Sequence, residues 1–211
     1  MSRKKVLVLG ATGATGQHVV SRALEEGHDV TLLVREPARL PAPFRGLRLH
    51  VGSSTDADAL GRAVAGQDAV ISTLGVGKSF KPQGLIAASV PALVQAMTSH
   101  QVRRVIVTSA YGVGPTMQYV PFVPKLFMRT LLRHVYADKA AGDSVLRNTD
   151  LDWTLVHPVT LTNSEAAGKY RVGERLALRG FPVISRADVA DFLVRQIDDR
   201  SYVRTSVLVS S

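Results

Sequence analysis

The chain of 211 residues contains no cysteine, so no disulfide can brace it, which suits a reducing compartment. Long apolar runs are missing as well: no stretch approaches the roughly 18 residues of a membrane span. The opening MSRKKVLVLG pairs a basic start with an apolar run. That run meets glycine after about five residues, short of the roughly 7 to 15 of a signal peptide. A cytoplasmic protein without membrane contact is expected. Aromatic residues are only 6% of the chain and do not interleave with its short basic clusters, so a nucleic-acid-binding stripe is not expected. No linker, repeat or low-complexity tract divides the sequence, and a single domain over 1–211 is expected.

What is present is a chain of 45% hydrophobic residues with a formal net charge of +9. An electropositive cleft for an anionic cofactor, and for an acidic substrate, accounts for that sign. Short Val/Leu/Ile-rich runs at 6–9, 30–34, 47–51, 69–72, 104–108 and 153–156 have the character of strands buried on both faces of a parallel sheet. Helical patterns alternate with them at 17–26, 56–64, 85–100 and 125–147, with Pro91 marking a kink or a late start in the third. This alternation predicts an α/β fold, a Rossmann-like doubly wound sheet with helices on both faces. After Pro158 the pattern loosens: residues 164–180 read as loop and hairpin, 185–197 as a helix capped by Ser185, and 204–210 as a last strand.

VLVLGATGATGQHVV, residues 6–20, runs from strand through three glycines into a helix. In that context Gly10 permits a tight turn, Gly13 lets the backbone approach a pyrophosphate, and Gly16 lets the helix pack close to the strand. With Thr12, Ala14 and Thr15 they form the expected cofactor loop at the positive end of the helix. An acidic residue for a ribose 2′-hydroxyl is missing from the second strand end, where TLLVREPARL places Arg35 and Arg39. Two guanidiniums there suit the 2′-phosphate of NADP(H), although Glu36 leaves NAD open. STLGVGKS, residues 72–79, imitates a P-loop, but Ser72 replaces an anchoring glycine and Pro82 blocks the helix. Leu74, Gly75, Gly77 and Lys78 are instead expected to line the cofactor crevice.

VLVLGATGATG, TLLVREPARLP and VAGQDAVISTLG resemble the atypical short-chain dehydrogenase/reductases of the NAD(P)H-binding type, a group with flavin reductase-like and NmrA-like members. VIVTSA, DKAAGDSVLRNTDLDWTLVHP and ISRADVADFLVRQI extend the similarity over nearly the whole chain. The resemblance implies NADP(H) as cofactor, hydride transfer, and no metal. It also implies a serine, a tyrosine and a lysine around the reacting carbonyl. Ser109 and Lys139 match the first and last, whereas Val135 stands at the tyrosine position, with Tyr136 one residue late and Tyr111 as a substitute. Ser109 and Lys139 are also implied in cofactor binding, together with Ser53, Ser54 and Pro158. Ser53 replaces the usual aspartate of the third strand, and Thr160 stands where biliverdin reductase B has a histidine. His157, where relatives carry arginine, is a candidate for cofactor contact or acid catalysis.

Tyr119, Phe122, Leu126, Phe127 and Met128 are candidates for an apolar wall facing a flat acceptor, with residues 111–135 and 158–185 forming the substrate side. The expected function is reduction by NADP(H) of a small conjugated or aromatic acceptor such as a flavin or quinone. A cofactor sensor without turnover and a cofactor-retaining isomerase or dehydratase are the alternatives, and a homo-oligomer stays open.

Overall fold

In β1 (Lys5–Leu9), adjacent side chains enter two different cores, as a strand covered on both faces requires. Val6 and Val8 join one apolar cluster, while Leu7 and Leu9 join the other. The computed structural model describes residues 2–75, 84–120, 125, 126, 128, 130–178 and 180–211. Gly77, Lys78, Pro82, Phe122 and Phe127 therefore lie outside the described residues.

The chain continues through α1 (Ala14–Glu25), β2 (Asp29–Val34), β3 (Arg48–Val51), α2 (Ala57–Val64), β4 (Ala69–Ser72), α3 (Leu85–Ser99) and β5 (Arg104–Thr108). It then forms α4 (Arg133–Arg147), β6 (Asp152–Pro158), β7 (Thr160–Thr162), β8 (Arg171–Gly173), β9 (Val183–Ser185), α5 (Arg186–Arg195) and β10 (Thr205–Ser210). The eight-stranded sheet has the order β3-β2-β1-β4-β5-β6-β10-β8. All its pairings are parallel except that of β8 with β10. This is the doubly wound Rossmann-like arrangement, and the strand order reverses between β1 and β4, where such sheets open a crevice for ligands. α1 and α5 cover one face, whose cluster holds Val19, Val20, Val189 and Leu193. α2, α3 and Leu146 of α4 cover the other, around Leu60, Leu93, Trp153 and Leu155. No helix among the described residues is long and apolar enough to cross a membrane.

Three sequence expectations are corrected. The helix expected over 125–147 is interrupted: residues 125, 126, 128 and 130 are helical, 131 and 132 form a turn, and α4 starts at Arg133. The Thr130 hydroxyl donates to the Leu126 carbonyl at 2.9 Å, a back-bond four residues upstream of the kind that bends helices. Among the described residues of 164–180 the expected hairpin is absent: the one strand there, β8, pairs with β10, while β7 and β9 make a separate parallel pair. Finally, α3 begins at Leu85 and runs through Pro91, so that proline does not delay its start.

Candidate functional site

At the β1–β4 crevice the backbone turns sharply at Gly10, whose φ of +89° is left-handed and therefore favours glycine. The Gly13 N–H donates to the Gly10 carbonyl at 2.9 Å, closing the turn and setting Gly13 as the N-cap of α1. That cap has no side-chain hydrogen bond, and the first turn of α1 carries no acidic residue. The positive end of the helix is thus left without a carboxylate of its own in that turn. Gly16 lies one turn in, buried against the Gly10 carbonyl and Thr73.

These elements bound a cleft of about 370 Å³ lined by 9–13, 33–35, Arg39, Gly52, Ser54, Thr73, Leu74, Gly75 and Leu85. Of the residues expected from sequence, Gly10, Thr12, Gly13, Arg35, Arg39, Ser54, Leu74 and Gly75 line it. Ala14, Thr15, Gly16 and Ser53 do not: the first three belong to α1 behind the turn, and Ser53 spends its hydroxyl on Thr55 at 2.8 Å. Ser54 exchanges a 2.9 Å hydrogen bond with Ser89 of α3. Gly52 and Thr73 are lining residues that sequence reasoning missed. Each sits at a strand end, after β3 and β4, which is the signal that finds them. Gly52 has no room for a side chain against Ala59, and the Thr73 hydroxyl donates to the Leu9 carbonyl at 3.1 Å. Among the described residues, Arg35 and Arg39 are the only charged ones that line the cleft, and no carboxylate does. The uncapped helix, the glycine turn and the two guanidiniums together fit an extended polyanion.

The expected catalytic group is arranged differently. Four consecutive residues leaving β5 are each tied down by a side chain of α4 or β6. Lys139 Nζ donates to the Thr108 carbonyl at 3.2 Å, and the Ser109 hydroxyl donates to Asp143 at 2.7 Å. His157 Nδ1 bonds the Ala110 carbonyl at 3.0 Å, and the Tyr136 hydroxyl donates to the Tyr111 carbonyl at 3.2 Å. Tyr136, Lys139 and Asp143 follow an i, i+3, i+7 spacing, so they share one face of α4. Tyr136, although one residue late, is therefore on the same face as Lys139.

This corrects the expected roles. Tyr111 does not offer a free hydroxyl, because that group donates to the Tyr119 carbonyl at 2.6 Å. Burial pushes both the Tyr111 and the Tyr136 phenols above their usual range, so neither is readied as an acid. Burial likewise lowers Lys139, against the pull of Asp143 and Asp138. Ser109 and His157 are buried, and Pro158 belongs to the end of β6 rather than to a loop after it. None of Ser109, Lys139, His157 and Pro158 lines the cleft. Asp143, which no sequence motif marked, gathers the network from the interior, with His157 Nε2 and Arg147 each 3.9 Å from its Oδ2.

Asp138, also unforeseen, accepts hydrogen bonds from the Ile86 and Ala87 backbone N–H groups at 3.1 and 2.8 Å. It caps α3 in place of Gly84, which has no side chain to do so.

The buried imidazole carries a pH prediction. Burial lowers His157 below its ordinary 6.5, outweighing Asp143 and the Ala110 carbonyl, while Arg147 and Lys139 lower it further. The unfolded chain therefore takes up a proton near pH 6.5 that the native protein refuses. Stability attributable to His157 is complete above about pH 6.5 and falls as the pH drops, by at most about 1.4 kcal/mol at pH 5.5. Melting curves at pH 7.5 and 5.5 should show a larger acid loss for the wild type than for His157→Gln, and equal losses would contradict this.

The fold and crevice define a nucleotide-binding Rossmann-like protein. The family described as NAD(P)H-binding matches residues 10–200, and the chain belongs to it. Similar curated proteins include phenylcoumaran benzylic ether reductase PT1 of Pinus taeda, 40% identical over 84 residues, 35% of this chain and 27% of that protein. Eugenol synthase 2 of Clarkia breweri is 34% identical over 96 residues, 41% of this chain and 31% of that protein. The chain thus aligns with less than a third of the length of these relatives. Among solved structures, a wide-type short-chain dehydrogenase/reductase from Veillonella parvula in complex with NADP superposes with a TM-score of 0.83 at 22% identity, covering 100% of this chain and 95% of that one. The anaerobillin reductase ChuY from Escherichia coli O157:H7 gives 0.80 at 20% identity, covering 97% and 96%. At these identities the structural likeness concerns the fold.

Proposed function

We propose that the chain is an NADP(H)-dependent reductase of a conjugated acceptor such as a flavin or quinone. The observation that carries the cofactor choice is the cleft wall, where Arg35 and Arg39 are the only charged residues among those described and no described carboxylate stands. A ribose diol asks for an acidic acceptor at the end of β2, whereas a 2′-phosphate asks for guanidinium donors. Arg35 forms no ion pair among the described residues, and Arg39 keeps only a long, exposed 3.8 Å contact with Glu36. Both are available to an anion.

When bound, NADPH supplies a hydride, and a proton from water balances the reduction to NADP+ and the two-electron-reduced acceptor. The chain's own part is to hold the pyrophosphate at the Gly10–Gly13 turn, grip the 2′-phosphate, and fix residues 108–111 through α4 and β6. The Tyr111, Tyr136 and Ser109 hydroxyls all point their protons at protein acceptors. That engagement favours an acceptor that needs no dedicated side-chain acid over a simple ketone. It also favours, as a second reading, a sensor that binds NADP(H) without turnover.

The test is consumption of NADPH and NADH against FMN, quinones and aromatic ketones. NADPH should be preferred. Arg35→Ala should raise the KM for NADPH by about 10- to 100-fold, the loss of one strong phosphate contact, with NADH little changed. Equal use of the two cofactors would overturn the NADP reading, and tight NADPH binding without turnover of any acceptor would favour the sensor.

A further inference from the structure

We propose that Asp138 is a positioning residue for the nucleotide: it does not line the cleft, yet through the first turn of α3 it sets where the cleft wall stands. This goes beyond the reductase reading and does not depend on it, since it holds for NADPH or NADH and with or without turnover. Two helices start at the cleft, and both lack a cap of their own. α1 opens at Gly13 and α3 at Gly84, each without a side-chain hydrogen bond and without an acidic residue in the first turn. The start of α3 is filled from outside. Asp138 reaches over from α4, with Oδ2 accepting from the Ile86 N–H at 3.1 Å and Oδ1 from the Ala87 N–H at 2.8 Å. Gly84 explains why the cap is borrowed. Its φ of +58° is left-handed, whereas a residue that caps with its own side chain sits in extended backbone, as Asp56 does at the start of α2 with a φ of −94°. Four residues on from Asp138, Gly142 faces the same turn: a methyl there would lie 2.6 Å from Ile86 Cγ2 and 3.0 Å from Val90 Cγ2. Asp138 and Gly142 share one face of α4 and hold α3 at Ile86, one by hydrogen bonds and the other by close approach.

What is held there is binding surface. Leu85, next to the two gripped N–H groups, lines the cleft. Ser89, one turn on, is buried with its hydroxyl 2.9 Å from that of Ser54, a lining residue after β3. α3 thus carries one lining side chain and steadies a second. Position and charge predict opposite signs for the loss of Asp138. Acting through its charge, the carboxylate would repel the phosphates of a dinucleotide, and removing it would tighten binding. Acting by holding α3, it keeps Leu85 and Ser54 in place, and removing it weakens binding.

Equilibrium binding of NADPH and of NADH to the full chain, read by nicotinamide fluorescence, tests this on the wild type, Asp138→Ala, Asp138→Asn and Asp56→Ala. Asp56 is the matched control: it too accepts from two backbone N–H groups, of Asp58 and Ala59 at 3.0 and 3.2 Å, but neither it nor α2 lines the cleft. Asp138→Ala should raise both dissociation constants by the same factor, about 3- to 10-fold, the worth of one helix cap passed on to binding. Asp138→Asn keeps one acceptor oxygen and should recover part of the loss. Asp56→Ala should melt earlier than the wild type yet bind as tightly. Unchanged or tighter binding by Asp138→Ala, an asparagine variant no better than alanine, an equal loss in Asp56→Ala, or a wild type that binds neither cofactor overturns the proposal. An effect confined to NADPH also overturns it, because the carboxylate would then act on the 2′-phosphate and not on the wall. Hydrogen exchange needs no variant: saturating NADPH should slow the Ile86 and Ala87 amides of the wild type at least about threefold. Unchanged rates there sink the proposal even where Asp138→Ala does not fold. NADPH preference and turnover bear on the reductase reading alone, so the two fail separately.

Discussion

Gly16→Ala should remove much of the protein's thermal stability and its NAD(P)H binding together. An alanine Cβ at this position would overlap the Gly10 carbonyl oxygen outright and lie 2.7 Å from the Gly10 carbonyl carbon and 2.9 Å from Thr73 Oγ1. The first two are backbone atoms, so no flexible side-chain end can swing aside. Either α1 lifts from the sheet or the Gly10 turn deforms, and that turn is the floor of the cleft. The loss should be at least about 3 kcal/mol, at the upper end of overpacking penalties. Gly46→Ala is the matched control: nothing lies within 4 Å of its added methyl, and stability should hold within about 0.5 kcal/mol. Thermal melts with and without NADPH check both. A Gly16→Ala protein that melts with the wild type would show that the helix does not press on the turn as described.

Asp188→Ala should be comparably damaging on the same face of the sheet, where α5 packs beside α1. Asp188 is fully buried and accepts three hydrogen bonds: from the Ala167 N–H at 3.1 Å, the Gly168 N–H at 2.9 Å and the Ser185 hydroxyl at 2.7 Å. Its own N–H returns a bond to Ser185 Oγ at 2.9 Å, a reciprocal cap on α5. Removing the carboxylate loses three hydrogen bonds to a charged group and leaves the buried Ser185 hydroxyl without its acceptor, at a total cost of at least about 3 kcal/mol. For a chain of this length that is a fall of about 10 °C in Tm. Asp188→Asn keeps one oxygen and should recover part of the loss. Calorimetry on the two variants decides the matter, and an alanine variant within 2 °C of wild type, about 1 kcal/mol or less, would refute the assigned role.

The cofactor half of the site was legible because its determinants are local. A glycine turn after a strand, an uncapped helix start and arginines at the next strand end all follow from spacing along the chain. The doubly wound sheet was legible for a similar reason, since short apolar runs alternating with helices admit few topologies. The catalytic expectations depended on which way α4 faces and on what meets it from β6. That is why Tyr136 turned out to lie on the Lys139 face, and why Tyr111, Ser109 and His157 are clamps rather than open groups. Asp138, Asp143 and Asp188 carry no motif; each acts on backbone or hydroxyl groups distant in sequence or in a neighbouring turn. Only the Ser185–Asp188 cap had a local signature, and its hold on Ala167 and Gly168 did not.

One consequence follows from the two carboxylates and the lysine of α4. Asp138 grips the first turn of α3, whose Leu85 forms part of the cofactor wall, while Lys139 and Asp143 grip the segment leaving β5. The wall of the cleft and the end of β5 are therefore bolted to the same rod. α4 cannot slide along its axis to make room on one side without dragging the other.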